Sequence, residues 1–136
     1  MKVLLDTHSF LWFFGGDAAL SKQAKTLIEN PRSEKYISIA SFWEIAILVL
    51  CTKYEVKNSL GKLTLDVPFA ELKTEAIKNS FHILPITFED TLQLNTLPFH
   101  HRDPFDRIII SQAMKNNLTL VSRDNNFSLY NVNLLW

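Results

Sequence analysis

Residues 103–124 read DPFDRIIISQAMKNNLTLVSRD. Asp103 stands in an N-cap position, Pro104 suits the first helical position, and Asp106 falls in the first turn, where a negative charge complements the helix dipole. The oily run that follows reads as a helix. LTLVS at 118–122 then reads as a strand that stops in the polar turn SRDNN. A helix that feeds a strand, with an acid at the mouth of each, sets the terms for the rest of the chain.

The same alternation extends to both ends. The opening KVLLD is a short apolar run closed by a polar residue, as expected for a buried parallel strand. A helix is expected over 7–14, stopped by Gly15-Gly16, and another over 21–30, before Pro31. A strand at 36–39 leads into a helix whose start carries a capping box, Ser41 with Glu44. The stretch 54–67 is the least regular, with a turn at Gly61. A helix over 68–80, the strand HILPI at 82–86, a short helix over 87–95 and a last strand, VNLL, complete the series. Strands alternating with helices predict a three-layer α/β/α sandwich with a mostly parallel central sheet, built as one domain over 1–136.

Length and composition agree. The chain has 136 residues, 47% hydrophobic and 21% charged, as in ordinary globular proteins. The single cysteine, Cys51, excludes an internal disulfide and reads as a small buried hydrophobe in a reducing, cytoplasmic setting. The longest oily run, IAILVLC at 45–51, is too short to span a bilayer, and no signal peptide precedes Asp6. Fourteen basic residues balance fourteen acidic ones, which argues against nonspecific coating of nucleic acid.

In a parallel sheet, ligands bind beyond the carboxyl ends of the strands. Four acids fall there. Asp6 ends the first strand, Glu44 follows the second, Asp124 sits past LTLVS, and Asp106 heads the helix that feeds that strand. Four converging carboxylates repel one another, and few basic residues share their segments. A divalent cation that prefers oxygen, Mg2+ or Mn2+, is the natural counter-charge. Such an ion activates water and stabilises phosphate oxygens, which points to phosphodiester hydrolysis.

Every one of these acids also has a local role to play, as a cap or a turn residue. Asp103 reads first as a pure N-cap, and His100 and His101 as polar loop residues. Arg102, Arg107 and Arg123 flank the acids, to brace carboxylates or to meet a phosphate. Asp90 and the remaining acids read as solvated surface.

Taken together, MKVLLDTH, SFWEIAI, LPFHHRDPFDRIIISQA and LVSRD resemble the PIN domain family, most closely the small VapC-type ribonuclease toxins. The resemblance runs over nearly the whole chain and is most specific around 103–113. It implies a PIN fold, with the family's four acids at Asp6, Glu44, Asp106 and Asp124, and with Asp103 as an extra acid of the DPFD variant. It further implies Mg2+ or Mn2+ at these acids, endoribonuclease activity leaving a 5′-phosphate, a homodimer, and a small VapB-like antitoxin partner. Lys53, Lys57 and Lys62 are the expected basic rim for RNA.

Two other readings compete. A phosphatase with Asp6 as nucleophile needs a second aspartate two residues on, where this chain has His8. A non-catalytic PIN-like interaction module would bind no divalent ion at the acids.

Overall fold

A computed structural model of the chain describes residues 1–53 and 67–136, with side chains over 1–49 and 67–136. Five strands among these residues form the sheet: β1 (Lys2–Leu5), β2 (Glu34–Ser38), β3 (Phe81–Leu84), β4 (Thr119–Val121) and β5 (Asn133–Leu135). Their order is β3-β2-β1-β4-β5, and every pairing is parallel. Among the described residues six α-helices accompany them: α1 (Thr7–Phe14), α2 (Lys22–Glu29), α3 (Ile39–Lys53), α4 (Leu72–Lys78), α5 (Phe88–Leu94) and α6 (Pro104–Asn116).

The residues of β1 show why both faces are covered. Val3 and Leu5 enter one apolar cluster, with Phe10 of α1, Ile28 of α2, Ile45 of α3 and Leu72 of α4. Leu4 enters the other, with Ile109, Ile110 and Ala113 of α6. Successive side chains of a strand point to opposite faces, so one VLL run serves two helical layers. The result is the α/β/α sandwich.

Local chemistry sets most boundaries where the sequence places them. Asp6 caps α1, Ser21 caps α2, and Thr87 with Asp90 closes a reciprocal capping box on α5. Gly16 adopts φ +60 just past α1, a conformation that suits glycine. Asn117 ends α6 in the left-handed region, at φ 50.

Elsewhere the boundaries move. The expected start of α3 at Ser41 is displaced to Ile39, because Ser38 at the end of β2 accepts the Ala40 N–H and the helix leaves the strand without a loop. Ser41 therefore lies inside the helix. It accepts a hydrogen bond from the Thr7 hydroxyl, and the Ser41–Glu44 capping box does not form. The expected helix over 68–80 divides into a 3-10 turn, Phe69–Glu71, and α4. A second 3-10 turn, Asn125–Leu129, was not anticipated. The turn at Gly61 and the Lys57 and Lys62 of the basic rim lie outside the described residues, as do the side chains of Lys53 and Cys51. No helix among the described residues is long and apolar enough to cross a membrane.

The strand order reverses between β1 and β4, so the loops leaving their carboxyl ends part and open a crevice. Asp6 follows β1 and Ser122 follows β4 at that point.

Candidate metal centre

Asp6 leaves β1 and caps α1. Its Oδ1 accepts the Ser9 N–H at 2.7 Å, and its Oδ2 accepts the Ser122 hydroxyl across the crevice. Ser122 Oγ in turn accepts the Asp124 N–H at 3.0 Å, so one hydroxyl ties the turn after β4 to the acid after β1. Asp6 is only 4% exposed, and burial pushes its carboxyl above the ordinary range against the pull of the Ser122 and Ser9 hydrogen bonds.

The packing of α3 against α6 brings in three more acids. One oxygen from each of Glu44, Asp103 and Asp106 lies within 4.8 Å of the others. Asp103 does cap α6, its Oδ1 accepting the N–H groups of Phe105 at 2.8 Å and Asp106 at 3.3 Å. The cap employs one oxygen. Oδ2 makes no hydrogen bond among the described residues, so Asp103 is both a cap and a member of the cluster.

His101 joins the remaining acid to this group. Its Nε2 lies 2.7 Å from Asp124 Oδ2 and 3.2 Å from Asp106 Oδ2. Its Nδ1 accepts the Asp103 N–H at 3.1 Å, and its own N–H donates to the Tyr130 hydroxyl at 2.7 Å. A backbone N–H can only donate, so Nδ1 carries no proton and Nε2 does. In this arrangement Nε2 donates to Asp124 with Asp106 close beside it, which leaves it no lone pair for a metal. The ring also packs on Phe127 at 5.3 Å. The expected loop histidine is thus 9% exposed and central.

Burial and mutual repulsion reshape the titration of the cluster. Desolvation, then the charge of Asp103, pushes Glu44 up to about 7, with Thr7 pulling the other way. Desolvation and the charges of Asp103, Glu44, Asp6 and Asp124 push Asp106 up to about 9. Among the described residues, no lysine or arginine lies within salt-bridge distance of Asp6, Glu44, Asp103, Asp106 or Asp124. Glu44 Oε2 is buried with no hydrogen-bond partner among the described residues. An orphaned anionic oxygen is costly, and a hard divalent cation fits an all-oxygen donor set of this kind.

The flanking arginines divide. Arg107 spends its guanidinium on the carbonyls of Leu94, Leu97, Pro98 and His101 at 3.0–3.4 Å, bracing the loop that carries His101. Arg102 and Arg123 are exposed. Asp90, expected on the solvated surface, is 1% exposed and binds Lys115 at 3.0 Å. The residues that sequence reasoning missed are His101 and Ser122. A histidine two residues ahead of the Asp103 cap was the only available signal for the first, and a hydroxyl two residues ahead of Asp124 for the second.

Comparison with known proteins adds to this geometry. The family model of the PIN domain matches residues 3–133. A toxin-antitoxin complex from Klebsiella pneumoniae superposes with a TM-score of 0.62 at 20% identity, covering 98% of this chain and 96% of that one. VapBC2 from Rickettsia felis, bound to a DNA fragment from its promoter, gives 0.61 at 15% identity, over 99% and 98% of the two chains. VapC20 from Mycobacterium tuberculosis, a toxin that cleaves the sarcin-ricin loop, gives 0.62 at 14% identity, over 96% and 95%. At these identities the likeness is one of fold. No curated protein matches in sequence.

Proposed function

Since the chain belongs to the PIN domain family, we propose that it is a divalent-metal-dependent ribonuclease that hydrolyses RNA phosphodiester bonds through Asp6, Glu44, Asp106 and Asp124. The observation that carries this reading is Glu44 Oε2, a buried carboxylate oxygen with no partner, inside a cluster that no lysine or arginine neutralises among the described residues. Asp6, Glu44, Asp106 and Asp124 are the residues proposed to hold Mg2+ or Mn2+, with Asp103 as an accessory oxygen beside Glu44 and Asp106. When bound, the ion supplies an acidified water and offsets charge on the phosphoryl oxygens.

The chain's own groups do the rest. Ser9 and Ser122 fix both oxygens of Asp6, and His101 donates to Asp124 while lying against Asp106. Their rigidity keeps the acids in place while substrate enters, so that little reorganisation remains for the reaction. Near pH 7 the metal-free cluster keeps protons on Asp106 and partly on Glu44. Loading therefore releases protons.

The reading extends to a biological role as the toxin of a toxin–antitoxin pair, with a small VapB-like antitoxin, a homodimer and a cytoplasmic location. The Klebsiella and Rickettsia neighbours support the protein partner, and the sarcin-ricin loop cleavage by the Mycobacterium neighbour supports RNA as substrate class.

The test is a Mn2+ titration followed by thermal melting, on the wild type, Asp6→Asn and Asp106→Asn. Saturable stabilisation in the wild type, lost in both variants, is expected, and Mn2+-dependent RNA hydrolysis should follow the same pattern. A wild type that no Mn2+ concentration stabilises would leave the chain as a non-catalytic interaction module.

A further inference from the structure

The crossing that brings Glu44 to Asp106 also builds something beside them. Trp43 precedes Glu44 on α3 and Phe105 precedes Asp106 on α6, and their rings meet edge to face at 5.1 Å and 87°. From this contact an apolar groove of about 410 Å³ opens, with Ile86, Leu94, Phe99 and Arg102 also in its walls. Trp43 is 60% exposed and Phe99 70%, among the largest apolar exposures of the described residues. Arg107 lies over the Phe99 ring at 4.9 Å while its guanidinium holds the loop carbonyls, so the aromatic wall is anchored rather than loose.

We propose that this groove is a nucleobase subsite, in which unpaired bases next to the scissile phosphate of a single-stranded RNA stack on Trp43 and Phe99. The proposal rests on the metal-dependent ribonuclease reading and names the form of RNA that the site takes. Three features carry it. Aromatic faces accept any base, whereas a duplex buries its base faces in its own stack. The groove starts one residue from Glu44 and one from Asp106, so a strand whose phosphate reaches the acids lays its neighbouring bases along it. Arg102 lines the groove, is exposed, and has no acid partner among the described residues. It supplies the positive charge that a backbone phosphate needs beside an otherwise anionic centre. This local complementarity also answers the zero net charge of the chain, because affinity comes from stacking and one placed cation rather than from a basic field. A partner protein's apolar helix is the competing occupant, and it gives no use to an unpaired arginine next to a cation site.

The experiment measures binding of a fluorescein-labelled uridine hexamer and of an abasic hexamer of equal charge, with Ca2+ as the divalent ion to hold hydrolysis back. The wild type should bind the base-bearing strand about ten-fold tighter or more. Trp43→Ala and Phe99→Ala should each remove most of that gap and leave the abasic affinity unchanged, and Trp43→Phe should restore it in part. Arg102→Gln should weaken both strands alike and lower the salt slope by about one. Equal binding of the two strands by the wild type overturns the proposal. A gap that survives in both alanine variants also overturns it. Mn2+ stabilisation of the same samples separates the two levels. If it persists while the gap is absent, only the subsite falls. If it is absent too, the metal reading falls with it.

Discussion

His101 Nε2 stands 2.7 Å from Asp124 Oδ2, with Asp106 Oδ2 at 3.2 Å from the same nitrogen. One N–H donates to Asp124 with Asp106 close by, and the Asp103 N–H on Nδ1 determines which nitrogen carries the proton. This makes His101 a positioning donor and separates it from the ion-holding set.

The distinction is measurable in His101→Ala. Loss of a buried ring with both nitrogens hydrogen-bonded should cost about 1–3 kcal/mol of stability. Because Asp106 and Asp124 then face each other without a donor, Mn2+ should still raise the melting temperature by at least as much as in the wild type. A Mn2+ shift that vanishes in this variant would make His101 a ligand.

Asp103→Asn tests a double role. Asparagine caps helices as well as aspartate does, so the metal-free stability should stay within about 1 kcal/mol of the wild type. The Mn2+ concentration at half-saturation should nevertheless rise about ten-fold, since the variant removes one oxygen anion from the cluster with Glu44 and Asp106. An unchanged Mn2+ midpoint would return Asp103 to capping alone.

Without metal, stability should fall as pH rises. Glu44 goes from 4.5 to about 7 on folding and Asp106 from 3.8 to about 9. Between each pair of values the native state holds more protons than the unfolded chain, so deprotonation costs the fold, and the cost is complete only above the folded values. Melting in EDTA from pH 5 to 9 should show this decline. Asp106→Asn should remove much of it, and so should saturating Mn2+. A flat profile in EDTA would contradict the burial and mutual repulsion of these acids.

Asp90 should behave in the opposite sense. Its burial raises the carboxyl's pKa, but the Thr87 N–H, Lys115 and Gln112 hydrogen bonds outweigh that and hold it below the usual range. The stability it contributes is present above its unfolded value and is lost as pH falls through the folded one. Lys115→Ala should cost about 1–2 kcal/mol at pH 7, with Lys115 partly exposed and its pairing screened accordingly. The difference from wild type should shrink in acid, as read from urea melts at pH 7 and pH 3.

Much of this molecule is written locally. The β1 run with Asp6 behind it, the Ser21 cap of α2, and the Asp103-Pro104 start of α6 all stand where residue type and spacing put them. Glu44 illustrates where local reading fails. Its spacing from Ser41 forms a capping box on paper, yet Ser38 starts the helix earlier, Ser41 turns to Thr7, and the glutamate is left free to face Asp106. The convergence of the acids was legible because a parallel sheet delivers every strand end to one edge.

The sequence by itself determined the alternation of elements, the parallel sheet and the edge at which the acids gather. Periodicity, capping and turn chemistry act over a few residues, and those few residues are visible in the chain. Only the tertiary structure decided what each polar group meets: His101 between Asp106 and Asp124, Ser122 on Asp6, Asp90 buried on Lys115, and Trp43 against Phe105. Those partners come from elements far apart in the chain. Their pairing is set by how helices and strands pack in three dimensions, and no local pattern encodes it.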